Sequence, residues 1–221
     1  MCYQSWLLSE DITQEYILIS RTKGTDYEHR KRYKDTYIYK TEKDYYKQYQ
    51  KSKYALTNKK GGWDCLRHYE ILANNSIPLF KNLENCPLKT LTNFPKKILI
   101  EIYKNKNLIN DYNYYKYLIY LHHYTKKNLT CKSSAKYLLK KINTNKNKKP
   151  KILMINNNLL KNKDSVNYSQ NLISIGLRNV LGENFIDYPK NDILYENYVG
   201  KEGYGKGFTY SKVLKDINVD R

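Results

Sequence analysis

No stretch of this 221-residue chain approaches the roughly 18 consecutive apolar residues of a membrane-crossing helix. Nor does Met1 to Glu10 carry the basic start and long apolar run of a secretory leader, so the sequence predicts a soluble, cytoplasmic protein without a membrane span. Cys-x-x-Cys pairs are absent as well. Cys2, Cys65, Cys86 and Cys131 stand apart, and in a reducing compartment they are expected as free thiols. Cys65 and His68 have a metal-like spacing that Cys86, His122 or His123 could extend, but structural zinc normally shows two such close pairs and the second is missing. No metal is therefore expected. Acid is scarce too: 40 Lys and Arg face 21 Asp and Glu, a net charge of +19.

Charge alone would favour nucleic acid, an anionic surface or a phosphate-bearing substrate. The basic excess is scattered, however, and a scattered excess describes a solvated surface better than a nucleic-acid footprint. Lys, Asn, Tyr and Ile are enriched together along most of the chain, as in proteins encoded by A·T-rich genomes, viral ones among them; for a viral chain the setting would be the host cytoplasm or the virion. Hydrophobic residues make up 40% of the sequence, but 25 residues are Tyr, so the core is expected to be aromatic and partly polar. The length suffices for one generous domain or two small ones.

The pattern predicts a first piece over residues 1–142, a Lys/Asn-rich linker over 143–151 containing Pro150, and a second piece over 152–221. In the first, Tyr16 to Ser20, Tyr54 to Thr57 and Ile77 to Phe80 read as strands. Asp44 to Gln50, Cys65 to Asn74, Pro95 to Lys104, Asp111 to Tyr124 and Ser133 to Ile142 read as helices. In the second, Lys151 to Asn156 and Asn184 to Asp187 read as strands flanking a helix from Ser165 to Leu181, the opening β-α-β of a parallel sheet. A GYGKGF segment and a helical VLKDI follow.

Chemistry concentrates between Ser52 and Phe80, where a strand, a lysine–glycine loop, a helix and a second strand follow one another. Gly61 and Gly62 would let backbone approach a diphosphate closely, Lys59 and Lys60 add positive charge, and the next helix offers unpaired N–H groups with Asp64 at its N-cap. Arg67 and Glu70 are three residues apart and share a helix face; the carboxylate suits a pair of ribose hydroxyls, the guanidinium phosphates or that carboxylate. Each feature also has a plain structural reading: a turn, a surface ion pair, a cap, and for Trp63 a core residue rather than a stacking platform.

The order Arg67, Glu70, the turn Asn74 to Ser76, then Ile77 and Pro78 resembles the donor-side motif of exostosin-like and CgeB-like glycosyltransferases of the GT-B type. The resemblance implies an α/β fold of two Rossmann-like halves with a nucleotide sugar held in the cleft as substrate, no metal and no other cofactor. It also implies that Glu70 binds ribose, that Lys59, Lys60 and Arg67 hold the diphosphate, and that Asn75 and Ser76 pass close to the sugar. Where the family commonly has Gly-Cys before Ile-Pro, this chain has Asn75 and Ser76; Asn tolerates positive φ, so the turn is expected to survive. Ile173 to Pro189 and Tyr204 to Ser211 resemble the start of an acceptor-side half in the same kind of enzyme. A donor-side end followed by an acceptor-side beginning implies incomplete halves, as in a fragment of a tandem array, a split gene or a decayed copy. A partner chain or domain would then complete the cleft.

Three functions remain open from the sequence: sugar transfer from a nucleotide sugar to a hydroxyl with no catalytic base identified, an inactive binding or structural protein of the same fold, and a basic nucleic-acid-binding protein. His68 is a candidate base, and equally a packed helix histidine. The glycines of GYGKG suggest a phosphate loop but lack the Ser or Thr of a P-loop.

Overall fold

A computed structural model describes residues 39–142, 150–156, 167–201 and 203–217; the expected strand from Tyr16 to Ser20 lies outside them. The described residues are mixed α/β and divide into two compact units, 39–126 and 127–217.

The first unit is built on a parallel crossover. Strand β1 (Tyr54–Asn58) leads through a loop into helix α2 (Leu66–Ala73) and back to β2 (Ile77–Lys81), and the strands pair in parallel from Tyr54↔Ile77 to Asn58↔Lys81. Ile77 to Phe80 are all buried, which a strand covered on both faces requires and which the unbroken apolar run anticipates. Before β1 comes α1 (Glu42–Gln50), begun by Thr41, whose side chain accepts from the Asp44 N–H. Its two buried residues, Tyr45 and Tyr49, lie one turn apart. Helix α3 (Lys96–Asn105) opens at Pro95 and buries Leu99 and Ile102. Helix α4 (Asp111–Asn128) buries Tyr114, Leu118, Leu121 and Thr125, a stripe at alternating spacings of four and three. Tyr114 sets its ring edge-on to Tyr54 at 5.3 Å and donates to the Lys53 carbonyl, so α4 is tied to the start of β1.

The second unit repeats the crossover. Helix α5 (Cys131–Lys141) is followed by β3 (Ile152–Ile155), α6 (Tyr168–Leu181) and β4 (Phe185–Tyr188), with the strands parallel from Ile152↔Phe185 to Ile155↔Tyr188. Its core joins Ala135 of α5 to Leu177, Leu181 and Phe185. A Cβ built on Gly176 would lie 2.1 Å from the Cys131 carbonyl oxygen, so α5 and α6 meet with nothing between their backbones. Helix α5 thus belongs with the second unit. The division of the described residues falls between Lys126 and Lys127 rather than at the Lys/Asn-rich 143–151, because Ala135, Leu138 and Leu139 of α5 pack with Leu177, Leu181 and Phe185.

Beyond β4 the expected VLKDI helix does not form. Lys212 turns with φ 56, and buried Leu214 bridges in parallel to Tyr195, its backbone bonded to Leu194 and Glu196. A single hydrophobic anchor with long-range backbone partners overrides the local helical pattern.

Gly176→Ala should lower stability by about 1–3 kcal/mol or more, since the added methyl must push two backbones apart. Gly61→Ala, where nothing lies within 4 Å and φ is not left-handed, should stay within about 0.5 kcal/mol of the parent. Urea midpoints of the two variants test the contrast.

Candidate functional site

The segment from Lys59 to Cys65 leaves the carboxyl end of β1 and enters α2. Lys59, Gly61, Gly62 and Asp64 are exposed there. Lys59 Nζ lies 5.5 Å above the Trp63 ring, and that ring is 6.1 Å from Phe80, so Trp63 is half platform and half core. The N-cap position falls on Cys65, whose extended backbone (φ −135, ψ 140) marks it, and no side chain caps the helix. Asp64, expected at the cap, comes one residue too early and accepts from the Tyr69 hydroxyl at 2.9 Å. Burial of the ring, with that carboxylate beside it, raises the Tyr69 pKa. Burial likewise raises the Cys65 thiol, partly offset by Arg67. Helix α2 therefore opens with N–H groups that no cap side chain accepts.

His68 is fully buried and holds this loop to the sheet. Its Nε2 lies 3.0 Å from the Trp63 carbonyl, which only accepts, so Nε2 carries the proton and Nδ1 accepts from the Thr57 hydroxyl at 2.9 Å. The ring packs on Phe80 with centroids 4.3 Å apart. Burial first, and then the nearby Arg67 charge, lower its pKa to about 4 despite the bond to Trp63. With both nitrogens engaged, His68 is a structural tie rather than a general base.

Glu70 is 3% exposed. The Tyr45 hydroxyl donates to its Oε2 at 2.5 Å and lies 2.7 Å from the Tyr49 hydroxyl. The residue expected to hold ribose is therefore covered by α1. Arg67 is half-buried; its Nε is buried without a hydrogen-bond partner, and no ion pair joins it to Glu70. Three residues apart, one side chain turns inward and the other stays near the helix start.

Asn75 and Ser76 lie elsewhere. Asn75 takes the expected left-handed conformation (φ 56), and its side-chain oxygen is 3.0 Å from His122 Nδ1. Ser76 is buried with its hydroxyl unpartnered. The next residue, Ile77, donates its backbone N–H to Lys53 at the amino end of β1, whereas Lys59 follows the carboxyl end. Four strand steps, about 13 Å, separate these edges. The structure thus gathers Lys59, Lys60, Gly61, Gly62, Trp63 and Arg67 around one loop, and sets Glu70 in the core and Asn75 and Ser76 at the opposite edge.

Tyr45, Tyr49, Thr57 and His122, the partners of these residues, were not legible from the motif. Each arrives from another element, and only the one-turn spacing of the two tyrosines signals anything locally.

In the second unit, Gly205, Lys206 and Gly207 all adopt left-handed φ (70, 58 and 69) in a tight turn leading into buried Phe208 and Tyr210. The polar centre lies nearby. Buried Asp187 accepts from the Tyr195 hydroxyl at 2.8 Å and from the Asn191 N–H at 2.9 Å. Arg178 Nη2 donates to Tyr195 at 3.1 Å and lies 3.7 Å from Asp187. These bonds hold the segment after β4 to α6 and leave the carboxylate no accessible oxygen for a ligand.

Among the described residues no group of three or more His, Cys, Asp or Glu is placed to hold a metal, and no helix is long and apolar enough to cross a membrane. Comparison of the chain with family models, with curated proteins and with solved structures gives no match.

Two outcomes follow from the buried groups. The unfolded chain takes up a proton at His68 near pH 6.5 and the folded chain only near 4, so unfolded molecules bind more protons in that window. Stability should be full above pH 6.5 and fall by up to about 3 kcal/mol as pH drops to 4. His122, also lowered by burial, adds in the same direction; urea midpoints from pH 7 to 4.5, with His68→Phe flattening the slope, separate the two. Glu70→Ala should cost about 1–3 kcal/mol because the buried Tyr45 hydroxyl loses its carboxylate acceptor. Thermal melts of that variant beside Tyr45→Phe check this.

Proposed function

We propose that the first unit is the donor-side part of a glycosyltransferase-like protein, holding the diphosphate of a nucleotide sugar at the Lys59–Gly62 loop for transfer of the sugar to a hydroxyl. The observation that carries the reading is the parallel β1–loop–α2–β2 crossover with an exposed lysine–glycine loop at the carboxyl end of β1 and a helix start without a side-chain cap. Open α/β sheets bind ligands at that end, and helix N–H groups favour anions there. Gly61 has no atom within 4 Å of where a Cβ would sit, which leaves room for a phosphate against the backbone. Lys59, Lys60 and Arg67 supply the charge that a departing diphosphate needs.

Ribose recognition is not assigned to Glu70, which supports the loop from inside, nor sugar contact to Asn75 and Ser76 at the far edge. The loop itself offers no general base: His68 is fully engaged, and Asp64 is the acceptor of Tyr69. Transfer therefore calls for a base from a complementing domain or chain. Without one, the unit binds donor and does not turn it over.

Calorimetric titration with nucleoside diphosphates and nucleotide sugars tests this. Saturable binding should weaken at least tenfold in the Lys59→Ala/Lys60→Ala variant, with its melting temperature measured beside the parent's to check that the fold is kept. Absence of binding by the parent chain, or equal binding by the double variant, would overturn the assignment.

A further inference from the structure

The outer face of α4 takes no part in the core or in the proposed donor loop. Its buried stripe of Tyr114, Leu118, Leu121 and Thr125 fixes the opposite face by the 100° turn per residue. That opposite face presents Tyr112, Ile119 and Tyr120, with relative exposures of 77, 55 and 49%, beside exposed Lys116, while Tyr115 lies at its margin, edge-on to Tyr114 at 5.3 Å. The helix has one acid, Asp111, and its charge is taken by Lys53 at 2.5 Å. The exposed face is thus aromatic and positive with no carboxylate of its own.

A solvated helix normally mixes both signs of charge and buries its rings. Rings held outward beside lysines have two uses at once: their faces stack with flat aromatic bases, and the ammonium groups meet phosphates between those bases. Tyr112 and Tyr120 are eight residues apart, about 12 Å along the axis, a span of about two nucleotides of an extended strand. Basic residues are no denser in α4 than in the whole chain; what is concentrated there is tyrosine, six of its eighteen residues, with Lys116 between the exposed rings. We infer that the outer face of α4 is a docking surface for single-stranded nucleic acid, independent of the donor loop and of the reading placed on it.

Fluorescence anisotropy of the full chain with a labelled dodecamer of thymidine, and with an abasic sugar-phosphate strand of equal length, decides the matter at about 50 and 200 mM salt. The thymidine strand should bind at least tenfold more tightly than the abasic one. Tyr112→Ala/Tyr120→Ala should abolish that preference while keeping the salt dependence, and Lys116→Ala should reduce the salt slope by about one. A Lys140→Ala/Lys141→Ala control on α5 should leave the base preference intact. The five substituted positions are exposed, and circular dichroism checks that each variant folds. Equal binding of the two strands, or a preference that survives loss of both tyrosines, overturns the inference. So does tighter binding to an acidic peptide or to anionic vesicles than to the thymidine strand.

Discussion

A parallel pair of strands cannot shield itself: both faces need cover, and the connection between the strands has to cross over one of them. Among the described residues each unit has two such strands, so the packing of the elements around them is determined by how the cover is found. In the first unit β2 is buried through four residues. The second unit meets the constraint on one face, where α6 and α5 close over Phe185 and Ile152, while Leu153 and Ile155 on the other face remain 60% exposed.

Leu and Ile supply most of the buried apolar side chains, and Tyr45, Tyr49, Tyr54, Tyr114, Tyr195 and Tyr210 join them. Tyrosine brings ring area and also a hydroxyl that needs a partner when buried. Tyr45 and Tyr195 both meet that need with a buried carboxylate, Glu70 in one unit and Asp187 in the other. Glu70, the acid the motif offers for ribose, is therefore held inside the core by Tyr45. A core of this kind depends on its hydrogen bonds more than an aliphatic one does, since deleting either partner leaves the other buried with less to bond.

The elements themselves were readable in advance. Ile77 to Phe80 and Lys151 to Asn156 declare strands by their apolar runs, Pro95 marks the start of α3, and Asn75 keeps the left-handed turn for the reason its amide side chain suggested. What stayed hidden were relations between elements. Gly176 and Ala135 bring α5 to the second unit through the smallness of their side chains, and Leu214 gives up a helix for a bridge to Tyr195. Helical spacing told that Arg67 and Glu70 share a face, but not that α1 would come down on one of them.

Parallel topology also decides where a ligand can be met. Residues adjacent in the motif alternate between the two edges of the sheet, because the chain passes from the carboxyl end of β1 along α2 to the amino end of β2. Lys59 through Arg67 and Asn75 with Ser76 consequently belong to different ends of one crossover, and Glu70 lies between them inside the fold. The binding proposed for the loop and the stability of the core are then separate properties of one short segment. A substitution at Lys59 bears on the first and one at Glu70 on the second, and loss of ligand binding by a Glu70 variant would report an unfolded segment before it reported a lost ribose contact.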